Sequence, residues 1–144
     1  MLIPKVRKIL RLQETLTFIL IAVLSMTAGV VHLLLIEEHI KESYMWGIGF
    51  LVMGTSQIIY GVIIIMIVVK KFSVSTKRVL YEIGIAGNSL LVFIFAYARL
   101  FVSPFSPEGT PISEIEPNGV IILVIQLLIV ALLIYLSKKS KGTS

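Results

Sequence analysis

The stretch VIILVIQLLIVALLIYL, residues 120–136, decides the class of this protein. It is an almost unbroken aliphatic run, and Gln126 is the one amide within it. A helix needs about 20 residues to cross the roughly 30 Å hydrocarbon core of a bilayer. The run lacks the polar and apolar alternation of a membrane barrel strand, so it predicts a transmembrane helix.

The composition of the whole chain extends this interpretation to three more segments. Of the 144 residues, 57% are hydrophobic and 15% are charged, and the mean hydropathy is +1.00. A soluble protein of this composition would expose large apolar patches to water. We therefore predict an all-α polytopic membrane protein, with one membrane domain over residues 1–144 that forms a four-transmembrane-helix bundle. The helices are expected at about 15–36, 44–69, 79–101 and 119–136, with an external proline-rich loop at 102–118.

Charged residues divide between the two ends of the predicted helices, which sets the expected topology. The segment before the first helix, the connection between the second and third helices, and the tail are basic. The other two connections are mostly acidic. Because Lys and Arg in short loops stay in the cytoplasm, we predict a cell-membrane protein with both termini inside (N-in/C-in). Basic clusters beside membrane helices normally meet anionic lipid, so no nucleic-acid partner is expected.

Glycines mark the faces on which the helices are expected to pack. Gly47, Gly54 and Gly61 recur every seven residues along the second helix, and Gly84 lies in the third. Small residues let helix backbones approach closely, so these positions should face a neighbouring helix rather than lipid. Gln57 lies near the same stripe and should be buried near the middle of the membrane.

Other polar residues inside the apolar segments are expected to join Gln57 in the bundle interior, because an unpartnered polar group in hydrocarbon is unfavourable. The predicted cluster comprises Gln57, Asn88, Arg99, Glu108 and Gln126. Arg99 lies near the external end of its helix and has two interpretations. Its side chain either extends to the lipid headgroups or forms an ion pair with an external carboxylate such as Glu108.

The octapeptide HLLLIEEH, residues 32–39, is the best candidate for a metal site. His32 and His39 share one face of a helix, and together with Glu38 they offer ligands suited to zinc or copper. However, a separation of seven residues places the imidazoles about 10 Å apart along the axis. Both can bind one ion only if the side chains converge or the helix unwinds near residue 36. A hydrogen-bonded structural role for His32 is the stronger alternative.

These motifs resemble those of a functionally unassigned group of small four-helix membrane proteins from bacteria and archaea. The group is characterised by His-x6-His, Gly-x-x-Gln and Arg-x4-Pro-Phe-x-Pro. The matching residues are His32, His39, Gly54, Gln57, Arg99, Pro104, Phe105 and Pro107. The resemblance covers roughly residues 28–120 and implies a four-helix membrane fold, but no known activity. The chain departs from the group at Val102 and Ser106, where glycines are expected, and at Ile122 and Ile129, where relatives often carry acidic side chains.

Three functions fit the sequence. The first is a non-catalytic helical bundle, either alone or as an accessory subunit of a membrane complex, with a polar cluster at the outer face. The second is zinc or copper binding at that face, and the third is transport by a homo-oligomer. No nucleophile–base pair is recognisable, so an enzyme is the weaker expectation. There is no cysteine for an iron–sulfur cluster and no opposed pair of histidines for haem.

Overall fold

The computed structural model describes residues 4–70, 72–100 and 117–141. In these ranges the chain forms five α-helices: α1 (Pro4–Leu34), α2 (Ile36–Glu42), α3 (Tyr44–Val69), α4 (Val74–Leu100) and α5 (Pro117–Lys141). Within the described residues, four helical segments are long and apolar enough to cross a membrane. The prediction of an all-α protein with four spanning-length helices is thus confirmed. Almost all of the predicted proline-rich loop lies outside the described residues.

Three of the long helices extend beyond their apolar segments. α1 begins eleven residues before the predicted start at residue 15, α4 begins five residues before 79, and α5 ends five residues after 136. Hydropathy marks only the part of a helix that prefers hydrocarbon, whereas backbone hydrogen bonding continues through Lys, Arg, Gln and Leu, which favour helices. Pro117 is the first residue of α5, where its missing N–H has no intrahelical partner to lose.

The expected connection after the first helix is itself helical. α2 follows α1 after the single residue Leu35, whose φ of −82° and ψ of −4° remain close to helical values. The Leu35 amide donates to Val31 at 3.1 Å, and the His39 amide donates to Leu35 at 3.2 Å. Helical hydrogen bonding therefore passes through Leu35, and the polar octapeptide stays ordered instead of forming a loop.

The helices pack in the order α3, α1, α5, α4, so α1 and α5 form the middle of the bundle. α2 packs on α3, while α3 and α4 barely touch each other. The Lys139 ammonium donates to the carbonyl oxygen of Leu10 at 3.3 Å, which places the start of α1 beside the end of α5. We call this the terminal end of the bundle and the opposite end, which carries α2, the distal end. The bundle is consequently open on the side between α3 and α4.

The seam between α1 and α3 is unusually tight. A Cβ atom built on Gly54 would lie 2.8 Å from the carbonyl oxygen of Gly29, and one built on Gly29 would lie 2.7 Å from that of Gly54. A Cβ on Gly61 would lie 2.9 Å from the carbonyl oxygen of Ala22. Since these neighbours are backbone atoms, only glycine allows this separation of the helices. The glycine stripe of α3 therefore faces α1, and Gly47 at its distal end lies against Ile40 of α2.

The apolar core lies towards the terminal end and contains buried side chains from all four long helices. Phe18 of α1 stacks on Tyr81 of α4 with ring centroids 6.0 Å apart. Ile129 and Leu133 of α5 are fully buried in the same cluster. α4 is thus anchored near its first turns, which leaves its second half free to diverge from α3.

Candidate functional site

A cleft of about 650 Å³ separates the distal halves of α3 and α4. Its walls are almost entirely apolar and include Met45 and Val52 of α3 and Leu91, Phe93 and Ile94 of α4. Met45, Val52 and Phe93 are more than half exposed, so the cleft opens on the surface of the bundle. A volume of this size lies within the range of small-molecule binding sites. We call this space the α3–α4 cleft.

The α3–α4 cleft is closed towards the terminal end by Tyr60. Its hydroxyl donates to the carbonyl oxygen of Leu80 at 3.0 Å, which bridges α3 and α4. The Tyr60 ring lies directly against Gly84, where any side chain would collide with it. From Tyr60 the cleft extends to Trp46 and the distal end, a rise of about 21 Å along α3.

Two amide side chains line the α3–α4 cleft near its closed end, within about one helical turn of the level of Tyr60. Gln57 and Asn88 are 4% and 5% exposed, respectively. The Asn88 amide nitrogen donates to the carbonyl oxygen of Gly84 at 2.9 Å, but Asn88 Oδ1 and both Gln57 side-chain atoms have no hydrogen-bond partner. Buried polar groups in proteins almost always have a partner. Unpaired amides in an otherwise apolar cleft are the feature of this site that needs an explanation.

The backbone of Gln57, by contrast, is tied to α1. Ser25 is fully buried, and its hydroxyl donates to the carbonyl oxygen of Gln57 at 2.8 Å. This bond fixes the position of α3 along the axis of α1. It thereby holds the Gln57 side chain at the level of the α3–α4 cleft.

His32 and His39 lie on the face of α1 and α2 that contacts α3. The Nδ1–H of His32 donates to the carbonyl oxygen of Ala28 at 2.8 Å, and the Nδ1–H of His39 donates to that of Leu35 at 3.0 Å. The ring of Phe50 contacts both imidazoles, with centroids 5.5 Å from His32 and 4.1 Å from His39. An aromatic ring from α3 therefore packs against the two histidines expected to share a metal ion.

No three His, Asp or Glu residues come together as a metal-binding group in the described part of the chain. Glu38 is exposed, and Glu37 is engaged with Lys41 at 3.0 Å. His32 is buried beside Gln57, although the Gln57 amide does not reach hydrogen-bond geometry with it. The structure therefore gives a zinc or copper site at His32, His39 and Glu38 no support.

The predicted polar cluster is only partly assembled in the described residues. Gln57 and Asn88 line one cleft, while Gln126 is buried on α5 and does not line it. The side chain of Arg99 and the whole of Glu108 lie outside the described parts of the structure. The ion pair expected between them stays a prediction.

Sequence reasoning overlooked Tyr60 and Gly29. Tyr60 belongs to none of the recognised sequence motifs, yet its hydroxyl makes a hydrogen bond between α3 and α4. Gly29 meets Gly54 across the α1–α3 seam. The small-residue pattern Ala22, Ser25, Gly29 on α1 could have revealed this seam, because it matches the stripe on α3.

No family model matches this chain, and neither the curated proteins nor the solved structures contain a match.

Proposed function

We propose that this protein is a non-catalytic integral membrane protein of the cell membrane, with both termini in the cytoplasm. The observation that carries the proposal is the use of polar groups at the α1–α3 seam. The buried Ser25 hydroxyl donates across the seam to the carbonyl oxygen of Gln57, whereas the buried His32 imidazole donates to Ala28 within α1 and packs on Phe50 of α3. The Ser25 bond and the contact of His32 with Phe50 both join α1 to α3, so these groups support a structural role.

The motifs on α1 and α3 also support membership of the group of small four-helix membrane proteins that the sequence resembles. His32 of α1 and His39 of α2 both contact Phe50 of α3, while Gly54 and the backbone of Gln57 contact α1. The same residues at the same spacing would form the same helix–helix contact in other proteins of the group, because that contact depends on side-chain size and hydrogen bonding at each position.

The experiment that tests the proposal combines metal content and stability. The protein is purified from its native membrane in mild detergent, and wild type is compared with His32→Ala. We expect the variant to lose about 1 to 2 kcal/mol of unfolding free energy, because a buried hydrogen bond and the contact with Phe50 are removed. Elemental analysis should find no stoichiometric zinc or copper in either protein. A bound metal that disappears in His32→Ala would refute the structural role.

The proposed topology can be tested with single cysteines, since the chain contains none. Ser75→Cys places a thiol near the start of α4 at the terminal end, and Lys41→Cys places one in α2 at the distal end. A membrane-impermeant maleimide added to intact cells should label Lys41→Cys but not Ser75→Cys. The reverse pattern would refute the assignment of the termini to the cytoplasm.

The bundle acts either alone or as an accessory subunit of a membrane complex. Native mass spectrometry on the same purified sample distinguishes these forms. Stoichiometric proteins that co-purify would support the accessory role, and a monomer free of other chains would favour the isolated bundle.

A further inference from the structure

We infer that the α3–α4 cleft binds a neutral, elongated hydrocarbon molecule that carries a hydroxyl group, and that the hydroxyl lies at Gln57 and Asn88. This is a binding site for a membrane-soluble alcohol. It goes beyond the proposed structural role, because the hydrogen bonds of Ser25 and His32 involve neither Asn88 nor the wall of the cleft on α4.

The hydrogen-bonding groups of the cleft define the polar part of the ligand. The Gln57 amide lies beside the His32 ring but has a donor and an acceptor without a partner in hydrogen-bond geometry, and Asn88 has an acceptor without one. A hydroxyl group is the smallest group that both accepts and donates a hydrogen bond. The terminal torsion of an amide side chain is broad, so Gln57 can turn its amide towards such a group. Asn88 keeps its nitrogen on the carbonyl oxygen of Gly84 and has Oδ1 left to accept a hydrogen bond.

The depth of the amides along the helices favours an uncharged ligand. Gln57 lies about 18 to 20 Å from either end of α3, and Asn88 occupies a similar position in α4. These positions correspond to the middle of a bilayer, where a charged group is strongly disfavoured. A neutral alcohol can reach this depth and would supply the missing partners.

The walls define the hydrocarbon part. From Gln57 the cleft continues towards Trp46, a rise of roughly 16 Å, between apolar side chains. The cleft is open beside Gly87, because a Cβ atom on this residue would meet nothing within 4 Å. A second copy of this chain fits less well, because its own Gln57 and Asn88 lie buried at the floor of its own cleft.

Fluorescence quenching provides a direct test, because Trp46 is the one tryptophan of the chain and lines the cleft. The probe is a straight-chain primary alcohol with bromine at the end opposite the hydroxyl, added to the full-length protein in detergent. With the hydroxyl at Gln57, the bromine lies near Trp46 and quenches it. We expect saturable quenching, with an affinity roughly three- to tenfold higher than that of the matched bromoalkane, which lacks the hydroxyl.

Two variants and one control separate binding from folding. Gly87→Leu fills open space in the cleft and should abolish saturable quenching. Gln57→Leu should reduce the affinity for the alcohol to that for the bromoalkane while the protein stays folded, because the amide makes no hydrogen bond of full geometry and leucine has a similar size. Ala86→Leu adds the same side chain at an exposed position that does not line the cleft, and its quenching should match wild type.

Equal quenching by the alcohol and the bromoalkane in wild type would overturn the proposal, as would saturable quenching that survives Gly87→Leu. A dimer that dissociates in Gly87→Leu, without saturable quenching in wild type, would also overturn it and assign the cleft to a second copy of the chain. None of these outcomes depends on the metal content or topology that tests the proposed function.

Discussion

Replacing Gly54 with alanine should destabilise the protein, whereas the same change at Gly87 should not. At Gly54 the new Cβ atom would lie 2.8 Å from both the carbonyl oxygen of Gly29 and the side chain of Leu33. The carbonyl cannot turn away without breaking its helix, so α1 and α3 must separate. Overpacking of this kind costs about 1 to 3 kcal/mol. At Gly87 the new atom meets nothing within 4 Å.

Comparing the two variants isolates the steric cost. Both replace a glycine inside a helix with alanine, which by itself stabilises the helix by about 1 kcal/mol. This gain is common to both, so the unfolding free energies of Gly54→Ala and Gly87→Ala should differ by about 1 to 3 kcal/mol. Equilibrium unfolding in mixed micelles with increasing SDS, followed by circular dichroism, measures this difference. If Gly54→Ala is as stable as Gly87→Ala, the close contact between α1 and α3 does not exist.

Two further predictions concern contacts that join α4 to the rest of the bundle. Tyr60→Phe removes the hydrogen bond to the carbonyl oxygen of Leu80 and should reduce the unfolding free energy by about 0.6 kcal/mol or more. The control Tyr135→Phe, at an exposed position, should change the unfolding free energy by less. Equal effects of the two substitutions in the same assay would contradict the bridge between α3 and α4. Lys77→Gln removes the ion pair with Glu14, which is 3.5 Å long and partly exposed, and the contact of the ammonium with the Phe18 ring at 5.6 Å. The unfolding free energy should change by less than about 1 kcal/mol at moderate salt, and a larger loss would contradict the weak contribution expected of a partly exposed pair.

The spanning helices could be predicted from the sequence because the preference of a segment for hydrocarbon is a sum over its own residues. Residues 120–136 required no information about the rest of the chain. The limits of the helices were less predictable. α1 begins at Pro4, because helix formation in the polar segment depends on propensity and packing and not on hydropathy.

The candidate site was less accessible to sequence reasoning. The burial of Gln57 and Asn88 follows from polar residues within apolar helices, and the structure places both at one cleft. Neither the sequence spacing of His32 and His39 nor their shared face could reveal that Phe50 packs against both rings. That contact comes from a residue on another helix, and the position of this residue depends on how α3 is placed along the axis of α1.

By itself, the sequence determined that this protein is helical, that four segments are apolar enough to cross a membrane, and that a few glycines and polar residues interrupt them. These properties are local, because each depends on one segment and its solvent. Only the tertiary structure decided that α3 packs on α1 while α4 packs on α5, and that the α3–α4 cleft opens between them. The physical reason is that aliphatic helices can pack in several arrangements with similar burial. The choice among them depends on close contacts such as Gly29 with Gly54 and Tyr60 with Leu80, which join residues far apart in the chain.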